Sequence, residues 1–297
     1  MEMPEAPFAP FPFENSIFSN TTHLIGFEFD GTACYRKGAK DGPNEIRMNS
    51  LGIETYSPYQ DLDTEDICCV DLGNLPVGKG ADVQENWWQA SEYFLNCTKG
   101  LNFPGEGIRF LTMGGEHSIA YAPIVTYLEQ YPDLLVIQLD AHADLRDGYE
   151  GYHFSHASII RRVLEHFGPR HRLMQYGIRS GTREEYQWMK NNGTLFSSKA
   201  GFLEELDRVV SSKPIYVTLD LDYFDPACLP GTGTPEPGGE DFSSFIQLIK
   251  RLKNKNFVGV DVTELAPCID PTRNSSVFAA KVIRELLLAL DLNRMVK

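Results

Sequence analysis

Residues 134–144 read LLVIQLDAHAD, an apolar run that ends in two aspartates and a histidine spaced two residues apart. A short continuous apolar run before a turn is typical of a strand buried on both faces, as in a parallel sheet. Alternate side chains of an extended chain point to the same side, so Asp140, His142 and Asp144 would project together. This stretch predicts a central parallel strand with a cluster of polar, ionisable side chains at its carboxyl end.

Six other apolar runs of this type occur along the chain. With the first, the predicted strands lie near 22–29, 66–70, 108–113, 134–139, 172–177, 215–219 and 257–262. Helical patterns occur at 82–99, 156–167, 241–253 and 275–290. Asp82 can cap the first of these helices, and Asn274 or Ser275 can cap the last. Strands that alternate with helices predict an α/β fold, a three-layer α/β/α sandwich around a mainly parallel central sheet.

The composition changes little along the 297 residues, which predicts one domain over 1–297 with an N-terminal extension at 1–21. No run approaches the about 18 apolar residues that cross a bilayer, and the acidic start lacks the features of a signal peptide. The six cysteines show no CxxC spacing, and Cys68 and Cys69 in the run ICCV are expected to be buried. These features predict a cytoplasmic protein with reduced thiols.

The chain is acidic, with 27 Lys and Arg against 41 Asp and Glu and a formal net charge of −14. A general nucleic-acid binder needs clustered basic residues, and so does a polybasic membrane anchor. We therefore expect neither nucleic acid nor a membrane as a partner. The acidity mildly favours a small cationic ligand.

Two more predicted strands end in similar polar segments. Asp220 and Asp222, again two apart, follow the run IYVTL, and Gly114-Gly115-Glu116-His117 follows GIRFLT. The carboxyl ends of parallel strands meet at one edge of the sheet, which is where ligands bind in such folds. The three segments are therefore expected to come together there.

Such a cluster contains four aspartates and two imidazoles, and this negative charge needs compensation. Two divalent cations would balance it. Mixed carboxylate and imidazole ligands favour Mn²⁺, with Zn²⁺, Co²⁺, Fe²⁺ or Ni²⁺ as alternatives. A pair of such ions lowers the pKa of a shared water from about 16 towards neutrality, which suits hydrolysis. Taken singly, each aspartate motif could instead stabilise a turn or cap a helix, and His117 could be a hydrogen-bonded histidine of the core. Together the three motifs favour a metal centre.

Six segments, in this order, closely resemble motifs of the ureohydrolase (arginase/agmatinase) family. They are GGEHS (114–118), DAHAD (140–144), SHAS (155–158), LDLDYFDP (219–226), TGTPEPGG (232–239) and VDVTELAP (260–267). With GTACYRKGAKDGPNEIR (31–47), the resemblance covers about residues 22 to 290. It implies an enzyme with two Mn²⁺ per subunit that cleaves a guanidino group to urea and an amine, as a homotrimer or homohexamer.

The same resemblance implies roles for single residues. His117, Asp140, Asp144 and Asp220 would bind one metal, and Asp140, His142, Asp220 and Asp222 the other. His156 would be the proton-shuttle histidine, and Glu264 the carboxylate that pairs with the guanidinium. Thr234 would contact the substrate, and Asp225 would support the site. One departure is Ala157, where the family often has glycine.

The loop 145–154 bears on the substrate. Arginases carry Ser and Asn residues there, whereas this loop has neither. That difference and the TGTPEPGG form favour agmatine, hydrolysed to putrescine and urea as in polyamine biosynthesis. Asp147 or Glu150 could meet the distal ammonium of agmatine, and Arg146 could instead accept the carboxylate of guanidinobutyrate or arginine. A mononuclear deacetylase on a related fold, or a catalytically inactive relative, are the more distant alternatives.

Overall fold

The computed structural model describes residues 1–291 of the chain. Its strands, in chain order, are β1 (Thr22–Phe27), β2 (Tyr56–Ser57), β3 (Leu62–Asp63), β4 (Cys69–Asn74), β5 (Arg109–Gly114), β6 (Leu135–Leu139), β7 (Arg172–Tyr176), β8 (Leu195–Phe196), β9 (Pro214–Asp220) and β10 (Asn256–Thr263). Its α-helices are α1 (Gly42–Ser50), α2 (Val83–Thr98), α3 (Phe103–Glu106), α4 (Tyr121–Gln130), α5 (Ile159–Leu164), α6 (Arg183–Asn192), α7 (Lys199–Arg208), α8 (Phe242–Leu252) and α9 (Asn274–Leu290).

Eight strands form one sheet in the order β4-β1-β5-β10-β9-β6-β7-β8, and every neighbouring pair is parallel. Strands β2 and β3 pair separately as a short antiparallel hairpin. The predicted α/β fold with a parallel central sheet is confirmed. Because parallel strands need crossover connections, helices cover both faces of the sheet.

Strand β6 contributes side chains to the apolar clusters on both faces of the sheet. Leu135, Ile137 and Leu139 join the apolar cluster that contains residues of α1, α7, α8 and α9. Val136 points the other way, into the cluster that contains residues of α2, α4 and α5. This alternation explains why the strand reads as a continuous apolar run in the sequence.

The N-terminal extension packs along the edge strand β4. Glu2 forms an antiparallel bridge with Asn74, and Phe13 forms a parallel bridge with Asp71. The Phe8 side chain is buried, and its backbone N–H donates to the Asp71 carboxylate. The segment thereby covers an edge that would otherwise expose unpaired backbone groups.

Some local expectations are corrected. The Asp82 side chain caps α2 by accepting the N–H of Glu85, as expected. Helix α9 is not capped by Asn274 or Ser275, because the chain enters it through Arg273 at φ 60° and its first turn is held by the Asp270 carboxylate. Residues 156–158 form a 3₁₀ turn before α5 begins at Ile159. Cys69 is buried, but Cys68 is exposed.

A membrane-crossing helix would have to be longer and more apolar than any helix within residues 1–291.

Candidate metal centre and active site

The candidate site lies at the carboxyl ends of four strands that are adjacent in the sheet, β5, β10, β9 and β6. His117 follows β5, and Glu264 follows β10. Asp220 ends β9 with Asp222 just after it, and the segment 140–144 follows β6. The sheet topology therefore brings the three predicted polar segments together, with Glu264 beside them.

The first group of possible metal ligands surrounds His117. Its Nδ1 atom lies 3.0 Å from Asp144 Oδ2, 3.1 Å from Asp140 Oδ2 and 3.5 Å from Asp220 Oδ2. All four side chains are buried. Ligand atoms of His117, Asp140 and Asp220 lie close enough together to share one ion.

The second group surrounds His142. Its Nδ1 atom lies 2.8 Å from Asp222 Oδ2 and 3.8 Å from Asp140 Oδ1. Ligand atoms of Asp140, His142 and Asp222 are again close enough to share an ion. Asp140 belongs to both groups through its two different oxygens, which is the arrangement of a bridging carboxylate. Asp220, for which the resemblance implies contact with both ions, has its ligand atom in the first group, whereas the second group consists of Asp140, His142 and Asp222.

The tautomer of His117 shows that this donor set fits a cation. Its Nε2 atom lies 2.7 Å from Thr218 Oγ1, and that hydroxyl donates to Asp261 Oδ1 at 2.7 Å. Thr218 therefore accepts from Nε2–H, so a neutral His117 carries its lone pair on Nδ1. Nδ1 makes no hydrogen bond within residues 1–291 although three carboxylates face it. A buried lone pair opposite carboxylate oxygens is stabilised by a cation between them.

The electrostatics of the cluster point the same way. Burial raises the pKa of Asp140 and Asp220, and it raises that of Asp144 to about 7 with a further contribution from Asp140. Burial opposes a charged His142, but Asp222 and Asp140 outweigh it and raise its pKa to about 10. The buried carboxylates thus favour positive charge at the imidazole nitrogens, which is what a bound divalent ion supplies.

A buried chain of hydrogen bonds orients Asp140. The Thr194 hydroxyl donates to Gln175 Oε1, and Gln175 Nε2 donates to Gln138 Oε1. Gln138 Nε2 then donates to Asp140 Oδ2 at 2.9 Å and to the His142 carbonyl at 3.0 Å. Each donor determines the orientation of the next amide, so the chain fixes one carboxylate oxygen.

Two residues of the site adopt the left-handed backbone conformation that side chains rarely favour. Asp144 has φ 54° and Glu264 has φ 68°. Such strain persists where the surroundings hold it, and it is common at functional sites. The Glu264 N–H donates to the Gly115 carbonyl at 2.8 Å. Gly115 itself has no room for a side chain, since a Cβ there would lie 1.8 Å from the Phe29 carbonyl oxygen.

His156 lines the same cavity from the 3₁₀ turn before α5. Burial lowers the pKa of His156 to about 4, with further contributions from positive charge at His142 and His117. The other histidines nearby are engaged elsewhere: the His153 ring contacts the Arg162 guanidinium, and His166 Nε2 lies 3.0 Å from the Tyr121 hydroxyl. Ala157 also lines the cavity, and the turn forms normally around it.

Thr234 and Asp225 belong to one loop system. Thr234 lines the cavity, with Oγ1 3.5 Å from Asp222 Oδ2. The Asp225 carboxylate accepts the backbone N–H groups of Gly238 and Gly239, so it holds the loop without contacting a possible metal ligand. Arg179 fixes the same region by donating to the carbonyls of Asp222 and Glu236, at 2.6 and 2.8 Å.

The cavity has a volume of about 280 Å³. Its lining includes Arg146, Tyr149 and Glu185, and the Arg146 guanidinium lies 4.7 Å from the centre of the Tyr149 ring. Neither Asp147 nor Glu150 lines it, because Asp147 pairs with Arg162 at 2.5 Å and Glu150 lies in the turn between Tyr149 and Tyr152. The expectation that one of them faces the cavity is therefore wrong. The Glu185 carboxylate does line the cavity, where its two oxygens accept the backbone N–H groups of Leu145 and Thr182.

Several supporting residues were not singled out from the sequence. Gln138, Thr218 and Asp261 are polar residues inside otherwise apolar central strands, and that pattern is a signal that could have identified them. Thr32 and Glu116 are 84 residues apart in the sequence, and no local sequence pattern predicts the contact between them.

Comparison with known proteins agrees with this geometry. The sequence profile of the arginase family matches residues 20–289. The chain is 39% identical over 270 residues to the agmatinase of Bacillus subtilis, covering 89% of this chain and 90% of that protein. It is 38% identical to the agmatinase of Bacillus cereus with the same coverage. The solved structure of proclavaminate amidino hydrolase from Streptomyces clavuligerus matches with a TM-score of 0.85 at 27% identity, covering 98% of each chain. The chain therefore belongs to the arginase family, and it is a ureohydrolase.

Proposed function

We propose that this ureohydrolase hydrolyses agmatine to putrescine and urea at a centre of two Mn²⁺ ions. The observation that carries the proposal is the convergence of two groups of possible metal ligands that share Asp140, with His156 and Glu264 lining the same cavity. The similarity to two bacterial agmatinases supports agmatine as the substrate.

The residues proposed to hold the ions are His117, Asp140, Asp144 and Asp220 for one, and Asp140, His142, Asp220 and Asp222 for the other. Two divalent ions bound there supply a hydrolytic nucleophile at neutral pH by lowering the pKa of water. The carboxylate and imidazole donors match Mn²⁺, without a thiolate that would select a softer metal.

Glu264 and His156 perform the remaining steps. The Glu264 carboxylate pairs with the planar guanidinium and orients its carbon towards the metal ligands. Neutral His156 accepts the proton that the attacking water loses and delivers it to the amine nitrogen as the guanidino C–N bond breaks. The hydroxyl of the adduct supplies the second proton, so urea and an ammonium are the products. Thr234 contacts the substrate beside Asp222, while Asp225 holds their loop.

A guanidino acid is the second candidate substrate. Arg146 lines the outer cavity and could accept a carboxylate, as in guanidinobutyrate or arginine. Glu185 lines the same cavity, and its negative charge favours an ammonium instead. The two groups make opposite contributions to substrate choice, and the similarity to agmatinases favours the ammonium.

The deciding experiment measures urea release by the metal-loaded protein from agmatine, arginine, guanidinobutyrate and guanidine side by side. We expect kcat/KM to be highest for agmatine. A higher value for guanidinobutyrate would shift the assignment to a guanidino acid, and no urea from any of the four would refute the proposed function. We also propose a cytoplasmic homotrimer or homohexamer, which light scattering on the purified protein and cell fractionation would test.

A further inference from the structure

The position of the His156 ring depends on a residue far away in the sequence. The Thr32 hydroxyl oxygen lies 3.3 Å from His156 Nδ1, and it accepts the backbone N–H of His156 at 3.2 Å. Thr32 is buried on the loop after β1, 124 residues before His156. The first contact engages the ring at Nδ1 and the second holds the backbone of the same residue. Because His156 lines the cavity, Nε2 is the ring nitrogen left to face it.

The hydrogen of the Thr32 hydroxyl is directed elsewhere. Thr32 donates to the fully buried Glu116 carboxylate with its hydroxyl and with its backbone N–H, the latter at 2.7 Å. The Ser118 hydroxyl donates to the same carboxylate at 2.6 Å. Burial raises the pKa of Glu116 to about 7, and the three donors around its two oxygens oppose that shift by stabilising the ionised carboxylate.

Counting donors and acceptors then determines the tautomer of His156. A hydroxyl has one hydrogen and two lone pairs. The Thr32 hydrogen is used by Glu116, and one lone pair accepts the backbone N–H of His156. With Glu116 ionised, the remaining lone pair can only accept, so His156 Nδ1 carries the hydrogen and Nε2 carries the free lone pair.

We propose that Thr32, held by Glu116, is a positioning residue that fixes His156 as the Nδ1–H tautomer with a proton-accepting Nε2 facing the cavity. The step deepens the proposed function, because it rests on His156 as the group that carries the proton. In the opposite tautomer Nε2 would already carry a hydrogen and could not accept one. The Tyr149 ring packs perpendicular to the His156 ring, with ring centroids 5.7 Å apart, and limits its rotation.

Kinetics of three variants test this assignment. Thr32→Val keeps the shape but removes the hydroxyl, and we expect kcat to fall about 10- to 100-fold with KM and bound metal unchanged. Thr32→Ser restores the hydroxyl and should return kcat to within about threefold of wild type. Thr126→Val is the matched control, since it removes a buried hydroxyl that only bonds within α4, and its kcat should not change.

An unchanged kcat in Thr32→Val would overturn the proposal, and so would a loss in Thr32→Ser as large as that in Thr32→Val. ¹⁵N NMR of histidine-labelled protein, loaded with diamagnetic Zn²⁺, reads the tautomer directly, with His156→Gln assigning the signal. We expect a protonated Nδ1 in wild type and a mixture of tautomers in Thr32→Val. A protonated Nε2 in wild type would overturn the proposal. This readout does not need turnover, so it still decides the matter if no guanidino compound is hydrolysed.

Discussion

The Oε1 oxygen of Glu264 accepts a hydrogen bond of 2.8 Å from the backbone N–H of His117. The carboxylate proposed to pair with the substrate is thereby fixed to the residue at the centre of the first group of possible metal ligands. Burial raises the pKa of Glu264, with a further contribution from Glu116. A cationic guanidinium in the cavity offsets that burial and favours the ionised carboxylate.

The first prediction concerns the charge of this carboxylate. Glu264→Gln keeps an oxygen for the His117 N–H but removes the negative charge that pairs with the guanidinium. We expect kcat/KM for agmatine to fall about 30- to 5,000-fold with metal content unchanged, since losing one partner of a buried charge pair costs about 2–5 kcal/mol. Steady-state kinetics with metal analysis check this. A near-normal kcat/KM would remove Glu264 from substrate binding.

Metal content tests the shared position of Asp140. Asp140→Asn should reduce bound Mn²⁺ to less than one ion per chain, because Asp140 faces both groups. Asp222→Asn removes a ligand of the second group only and should retain about one ion. Elemental analysis of dialysed protein measures both, with the exposed Asp207→Asn as a control that keeps the wild-type value. If Asp140→Asn binds as much metal as Asp207→Asn, Asp140 does not bridge.

Arg146 should influence substrate choice. Arg146→Met removes a positive charge from the outer cavity, so kcat/KM for dicationic agmatine should rise about threefold. For guanidinobutyrate we expect a fall of about tenfold, because a charged hydrogen-bond partner for its carboxylate is lost. Arg208→Met on α7, far from the cavity, should leave the ratio of the two substrates unchanged. Identical ratios in Arg146→Met and Arg208→Met would contradict a role for Arg146.

A stability prediction concerns His23, which is fully buried in β1. Its Nε2 accepts the N–H of Phe18 at 3.0 Å, and its Nδ1–H donates to the Arg109 carbonyl at 3.1 Å. Burial lowers the pKa of His23 from 6.5 to about 4. Below about pH 6.5 His23 is protonated in the unfolded chain but stays neutral in the folded chain. The contribution of neutral His23 to the free energy of unfolding is therefore complete above that pH and is lost as the pH falls towards 4.

By pH 5 the loss amounts to about 2 kcal/mol of unfolding free energy relative to pH 7.5. His23→Gln does not titrate, so it should lose about that much less than wild type over the same range. Urea unfolding of both proteins in the presence of a chelator measures the difference and removes metal release from the comparison. Equal pH dependence of the two proteins would show that His23 is not the titrating group.

The sequence predicted the main features of the sheet and of the polar segments because these depend on local patterns. Apolar runs identified the central strands, and the carboxyl-edge rule placed Asp140, Asp220 and His117 together. The predicted cap of α9 was wrong because the chain enters the helix through Arg273 in the left-handed conformation, so the Asp270 carboxylate in the preceding turn accepts the Ser275 N–H instead. Likewise, the pairing of Asp147 with Arg162 depends on how loop 145–154 folds back on α5, which spacing alone does not reveal.

The contacts that tune the site were beyond prediction for the same reason. Thr32, Glu116 and His156 meet only after three loops have been positioned by the sheet. The buried hydrogen-bond chain from Thr194 to Asp140 likewise passes through Gln175 of β7 and Gln138 of β6, which are far apart in the sequence. Such partners follow from the topology of the whole fold, whereas the metal-binding residue types follow from short motifs.

The central claim is that two metal ions in this cavity are needed to hydrolyse a guanidino substrate. Its most direct test is a titration of metal-free protein with Mn²⁺, in which bound metal per chain and urea release from agmatine are measured on the same samples. We predict that urea release rises as the second equivalent binds and saturates at two Mn²⁺ per chain. Saturation at one ion per chain, or urea release without added metal, would contradict the account.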